Sequence, residues 1–384
     1  MEVFLLGWDI AMRLFHNSAT IVTSIIFCLC LFIFPSCAEK THFRGDSEAL
    51  MEVVEPLFIN GSALHYVGQA LGSRQLIPAG DYIITTSNNP AAMFNIFDIH
   101  SKELLASFGN KGRGPNDFIL PFSIKQYWKD SLDNTFIVVT DNQDICTINV
   151  TESVKEGYPV TEIVGKLDSF GEYSAMFNNV AILGPDESFK WIGPKYIDAR
   201  DGLEIPPSFL LQLSDSSFDF NVFPSFFKSP AFNGIHYFIY DGAIRISSDK
   251  KKAAFFPSII NEFVIFDIPD KKTKRVIGQS PIPFEDLGKK AYDDIINSGK
   301  LFSIDASVSD QMIAVLFDGR RIIETQEGAG EKSSIQLFDW EGHTLAELHF
   351  DKYYTQVALN ENNQELYLLD TEDNIYHLDI QSYI

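Results

Sequence analysis

The residues of this chain with the means to do chemistry are one glycine-rich basic loop, a set of turn aspartates and a scatter of histidines. Gly112-Arg113-Gly114, with Lys111 beside it, has the composition of an anion cradle, because glycine N–H groups and nearby cations bind phosphates. A P-loop needs Gly-x4-Gly-Lys-Ser/Thr running into a helix, and a Rossmann turn needs Gly-x-Gly-x-x-Gly inside a βαβ unit. Here the loop leads towards a strand. The glycines therefore read as formers of positive φ, and Arg113 as a tie between neighbouring sheet modules. The histidines downstream of the N-terminal apolar run, His42, His65, His100, His236, His343, His349 and His377, form neither His-x-His nor His-Glu-x-x-His, and Gly-x-Ser-x-Gly does not occur. Asp141, Asp241, Asp318 and Asp370 each end an apolar run, a position that suits a hairpin turn. Gathered around a central channel, the same four would offer oxygen ligands to calcium.

A second candidate is made for recognition. Between Ser216 and Tyr240 the chain is crowded with phenylalanine and punctuated by Pro224 and Pro230, which marks a long aromatic loop. Phe226, Phe227 and Phe232 in it either stack on a sugar or an apolar partner, or pack beneath the loop as a satellite core.

The elements that must position these residues are strands. From Met51 onward, short runs rich in Val, Ile, Phe, Tyr and Thr are broken every eight to twelve residues by Asp, Asn and Gly. An apolar strand ending in a polar residue recurs six times: Ile96-Phe97-Asp98-Ile99, Thr147-Ile148-Asn149-Val150, Leu211-Gln212-Leu213-Ser214, Ile265-Phe266-Asp267-Ile268, Leu337-Phe338-Asp339-Trp340 and Tyr376-His377-Leu378-Asp379-Ile380. Most copies follow a strand that closes on a turn dipeptide, such as Asp241-Gly242 or Asp318-Gly319, and several lead through a polar turn into one more strand. Six units of about 58 residues and four antiparallel strands predict an all-β, six-bladed β-propeller over residues 51–384. The last unit holds only three strands, so the N-terminal run Met51–Ile59, with Pro56 suited to an outermost strand, is expected to supply the fourth and close the ring. One helix is expected over Phe284–Ser298, after Pro283 and before Gly299.

The N-terminus carries an address. Ile21 to Phe34 is a 14-residue apolar run, short for a bilayer span and right for the core of a signal peptide covering residues 1–36. A start at Met12 would give that peptide a conventional basic n-region, Met12-Arg13-Leu14. The run ends at Phe-Pro-Ser-Cys37, a small residue and then a cysteine, which resembles a bacterial lipobox and implies lipidation of Cys37. Residues 37–50 are polar and read as a flexible tether. Only Cys146 then remains, so no internal disulfide forms and the core must hold the fold. A formal charge of −22, with one short basic cluster at Lys271–Arg275, excludes a nucleic-acid surface. It also excludes membrane attachment by headgroup binding, which leaves a lipid anchor.

The junction Phe108-Gly109-Asn110-Lys111-Gly112-Arg113-Gly114-Pro115-Asn116-Asp117-Phe118, followed by Pro121, resembles an NHL-type blade junction. Its Gly-Arg-Gly-Pro form downstream of a lipobox is similar to the TolB-like six-bladed propeller lipoproteins. The resemblance covers the signal and the first blade; later junctions, such as Gly278-Gln279-Ser280-Pro281, are degenerate. It implies a monomeric, lipid-anchored, extracytoplasmic propeller of the diderm envelope, at the outer membrane. Such a protein is expected to bind or scaffold a protein, peptide or glycan without catalysis and without a cofactor. The alternative is a calcium-dependent propeller hydrolase or lyase with its site in the channel.

Overall fold

The computed structural model describes residues 43, 45–114, 116–119, 121–141, 144–166, 180–184, 190–195, 208–213, 215–222, 242–278, 297–326, 330, 332–360 and 364–384. The signal peptide, Cys37, Asp241 and the aromatic residues Phe226, Phe227 and Phe232 lie outside these residues, as does the expected helix apart from Asn297 and Ser298.

Every repeat unit forms a four-stranded antiparallel blade. Blade 1 holds Ser73–Ala79, Tyr82–Ser87, Phe94–Asp98 and Leu104–Phe108, and blade 2 holds Pro121–Lys129, Thr135–Asp141, Asp144–Asn149 and Val160–Lys166. Blade 3 holds Ala181–Gly184, Lys190–Lys195, Ser208–Gln212 and Ser217–Phe220. In blade 4 these are Gly242–Ile246, Lys252–Pro257, Glu262–Asp267 and Lys272–Ile277, and in blade 5 Ser303–Val308, Met312–Phe317, Ser334–Asp339 and Thr344–Phe350. Blade 6 contributes Tyr354–Asn360, Glu365–Asp370 and Asn374–Asp379 before the chain ends. The six sheets stand in a ring with their first strands innermost.

The apolar runs of the middle strands follow from this arrangement. A blade is covered on both faces by its neighbours, so strands such as Phe263–Phe266 bury every residue instead of alternate ones. Phenylalanine fills the gaps between blades. Phe209 of blade 3 meets Phe255 and Phe266 of blade 4 at ring separations of 4.8 and 5.0 Å, and Phe263 of blade 4 meets Phe338 of blade 5 at 5.1 Å. The recurring aspartate at the end of the third strand makes the turn into the fourth: Asp98 accepts the His100 and Ser101 N–H groups, and Asp339 those of Glu341 and His343. In blade 2 the equivalent residue, Asn149, instead caps a helix, Val150–Glu156, that ends at Gly157. The Asn149…Glu152 pair is a capping signal that the strand pattern around it masks.

Closure comes from the N-terminal side, but not from the expected strand. His65–Gln69 pairs antiparallel with Asn374–Asp379 and completes blade 6, and Asp373 fixes the turn that follows by accepting the Gly72 N–H at 2.7 Å. Leu57–Ile59 instead lies parallel on the outer strand of blade 5, and Ser47–Leu50 lies parallel on that of blade 4. The apolar look of Met51–Ile59 misleads because these added strands bond through the backbone alone; Val53 and Phe58 remain 81% and 82% exposed. The expected tether is likewise part of the ring from Phe43 onward. Phe43 is fully buried, stands edge-on to Phe255, and its carbonyl accepts a hydrogen bond from Arg275. A polar sequence such as Ser47–Leu50 shows no apolar period because it only covers an edge.

A chain beginning at Leu64 keeps six complete blades and is expected to melt cooperatively at a lowered temperature. One beginning at Gly72 lacks the closing strand and is expected to lose cooperative melting, followed by circular dichroism. A wild-type melt of the shorter chain would refute closure at His65–Gln69.

Candidate functional site

The strand directions sort every connection onto one of two faces. Links between second and third strands, and between a fourth strand and the next blade, share one face; these are 88–93, 109–120, 167–180, 196–207, 221–241, 278–302 and 318–333. The opposite face carries short turns such as 80–81, 247–251, 309–311 and 340–343, with the helix Val150–Glu156 as its one long connection among the described residues. Loops on a rigid scaffold are where recognition concentrates. The long-loop face is therefore the candidate surface.

The glycine junction belongs to this face. Asn110–Lys111 pairs parallel with Asp117–Phe118, and the Asp117 carboxylate accepts the Gly114 N–H at 2.9 Å. A Cβ at Gly112 would collide with that carboxylate, which is why glycine is needed there. The cradle is thus filled by the chain's own acid. Phe118 wedges against Phe94 at 5.0 Å, and Asp141 accepts the Ile119 N–H on both oxygens at 3.0 Å. These contacts, and not Arg113, tie blade 1 to blade 2. Lys111 and Arg113 are exposed and make no hydrogen bond or ion pair among the described residues.

The turn aspartates do not converge. Asp318 is buried and chelated by Arg320, with Nε to Oδ1 at 2.7 Å and Nη2 to Oδ2 at 2.8 Å, and Tyr353 donates to the same Oδ2 at 2.6 Å. Burial pushes its carboxyl upward, but these hydrogen bonds outweigh burial and hold it below the usual aspartate range. Asp370 is buried against Lys352 and accepts from the Glu372 and Asn374 N–H groups. Among the described residues no three His, Cys, Asp or Glu side chains are grouped to hold a metal. The residues present do not fit a calcium site built from these acids, since each carboxylate is already engaged where it stands.

On the long-loop face, blade 5 holds an open hollow of about 1000 Å³ between the ends of its strands. Phe58 stands on its wall, edge-on to His349 at 5.6 Å, and His349 Nε2 meets Glu347 at 2.6 Å. Lys332 and Asp351 complete a mixed-charge rim. Nothing in the sequence marks this hollow, because Phe58 reaches His349 only through the parallel strand added from the N-terminus.

The channel itself is laced shut by its innermost strands. Gln75 of blade 1 donates to the Ser123 carbonyl of blade 2 at 2.8 Å and accepts the Ser123 N–H at 2.6 Å, and Gln126 of blade 2 makes the same exchange with Ile182 of blade 3. Arg245 Nε of blade 4 donates to the Ala306 carbonyl of blade 5 at 2.7 Å. Asp305 and Ser307 of blade 5 accept the Val357 and Leu359 N–H groups of blade 6 at 2.8 and 2.9 Å. A bulge between Ser123 and Tyr127, with Lys125 at φ 54°, sends the Lys125 side chain across the axis to Asp305, on the opposite blade. Arg245 pairs with the same carboxylate at 3.4 Å. Burial pushes the Lys125 ammonium down to about 8; the Asp305 charge opposes this and the Arg245 charge adds to it.

No protein-family model matches the chain, and no curated protein is similar to it in sequence. Among solved structures it is similar to a luciferin-regenerating enzyme at 13% identity, over 82% of this chain and 94% of that one, with a TM-score of 0.41. It is similar to a member of the DUF4221 family from Bacteroides vulgatus at 12% identity, over 88% and 97%, with a TM-score of 0.46. A calcium-binding regucalcin from Agrobacterium tumefaciens is similar at 9% identity, over 85% and 95%, with a TM-score of 0.43. The six-bladed ring rests on the strand pairing described above.

Replacing Arg320 with methionine strands the buried Asp318 carboxylate and is expected to cost about 3 kcal/mol in urea unfolding, with the R320M/D318N double variant recovering part of it. Because the folded carboxyl titrates below the unfolded one, its stabilisation is complete above the ordinary aspartate range and fades as pH falls through the folded value. D318N should flatten that acid limb in a melting series taken from pH 6 downward.

Proposed function

We propose that this protein is an extracytoplasmic, lipid-anchored binding or scaffolding propeller of the TolB-like kind, which holds a protein, peptide or glycan on its long-loop face and catalyses no reaction. The observation that carries this reading is the asymmetry of the two faces: the long connections gather on one side and tight aspartate turns occupy the other. Lys111 and Arg113 are exposed on that side, and the 221–241 connection, with Phe226, Phe227 and Phe232, leaves from Phe220 and returns at Gly242 on that side. Exposed cations and aromatic rings are the groups that anchor partners. The lipobox-like Phe-Pro-Ser-Cys37 supports attachment by lipid to the envelope, at the outer membrane and as a monomer.

The F226A/F227A variant, compared with K111A/R113A, is expected to lose capture of partner from envelope extracts, or binding on a glycan array, while its melting temperature stays within about 2 °C of wild type. Undiminished capture by both variants would discard the long-loop face. Replacing Cys37 with serine should abolish palmitate labelling and move the protein from the membrane to the soluble fraction; continued membrane pelleting of C37S would refute the lipid anchor.

A further inference from the structure

On the short-turn face the channel opens into a narrow hollow of about 420 Å³, mouth included. Its floor is the Lys125–Asp305–Arg245 cluster, and the charges there do not balance. Two cations, with side chains 1% and 3% exposed, share one carboxylate. An uncompensated charge out of water is costly, so such a cluster draws in a counter-charge where one can reach it.

Donors are left over as well. An ammonium has three hydrogens; Lys125 spends one on Asp305 and one on the Val357 carbonyl at 3.0 Å, and the third has no partner among the described residues. Ser307, 3% exposed, accepts the Leu359 N–H through its hydroxyl, and its own hydrogen has no acceptor among the described residues. Both side chains line the hollow, where Tyr127, Ser248 and Lys250 join them. No acid is among the described lining residues, in a chain with 52 acids against 30 bases. Asp305 is spent on the floor, and Asp249 and Asp310 sit in the adjoining turns, where Asp310 accepts the Asp249 N–H at 2.9 Å.

We propose that this hollow binds a small monovalent anion, a carboxylate group or a halide, held by Lys125 and Ser307 and drawn in by the excess positive charge of the floor. The bound anion completes the charge cluster and clamps blade 2 to blades 5 and 6 across the axis. The narrowness of the hollow excludes sugars and nucleotides. The site is independent of partner binding on the opposite face.

The test is a melting series on the purified protein at constant ionic strength, in which a bulky sulfonate buffer anion is replaced stepwise by acetate or by chloride. A saturable rise of about 2 °C or more is expected with one of them, and which one acts assigns the site to carboxylate or halide. No rise with either would mean that water alone satisfies Lys125, and would overturn the proposal. K125M leaves Arg245 and Asp305 balanced and should melt without anion dependence; an equal rise in K125M would mark a bulk-salt effect and overturn it too. If K125M fails to fold, K250Q on the exposed turn serves instead, with a half-saturating concentration several-fold higher expected and an unchanged one counting against the site. Crystals soaked in bromide should show an anomalous peak within hydrogen-bonding reach of Lys125 Nζ, and its absence would overturn the assignment.

Discussion

Each sheet of this protein is apolar on both faces, and that constraint shapes the rest of the structure. A two-sided apolar sheet has to be covered twice, and a ring of such sheets covers each one with the next without leaving a last face bare. The phenylalanine excess follows, because wedge-shaped gaps between twisted blades are filled well by planar rings such as Phe209, Phe255 and Phe266. With the blades held by apolar packing, the innermost strands are left to match polar groups. The exchange of side-chain and main-chain hydrogen bonds from Gln75 to Ser123, from Gln126 to Ile182 and from Asp305 to Val357 sets the register of neighbouring blades.

Much of this was legible in the chain. The Phe-Asp repeat could be read because the same residue performs the same task each time: a carboxylate closing the turn between the third and fourth strands. The acids ending the second strands, Asp141, Asp318 and Asp370, were equally visible, and their partners explain why they are not ligands. Each carboxylate is neutralised by neighbours that the spacing of hydrophobic residues does not reveal, such as Arg320 and Lys352.

What escaped the sequence involves distance. Lys125 looks like an outward-facing strand residue until the bulge at Ser123–Tyr127 turns it inward, and its partner Asp305 is 180 positions away. The closing strand was misassigned for a related reason. His65–Gln69 is short and polar, while Met51–Ile59 is more apolar, yet an outer strand is selected by its backbone pairing and barely by its side chains. The same logic hides the strand at Ser47–Leu50 and the buried Phe43 within what reads as a linker.

The course of the N-terminal segment has a temporal side. Its three strands attach to blades 4, 5 and 6, the last parts of the chain to be made, although they are themselves made early. The segment must wait, unpaired, until nearly the whole polypeptide has been delivered, and only then can His65 find its place opposite His377. Loop closure of that span makes assembly of the ring a late and slow event. Until it occurs, blades 1 and 6 each present an uncovered side, so the newly delivered chain depends on a compartment able to shield it.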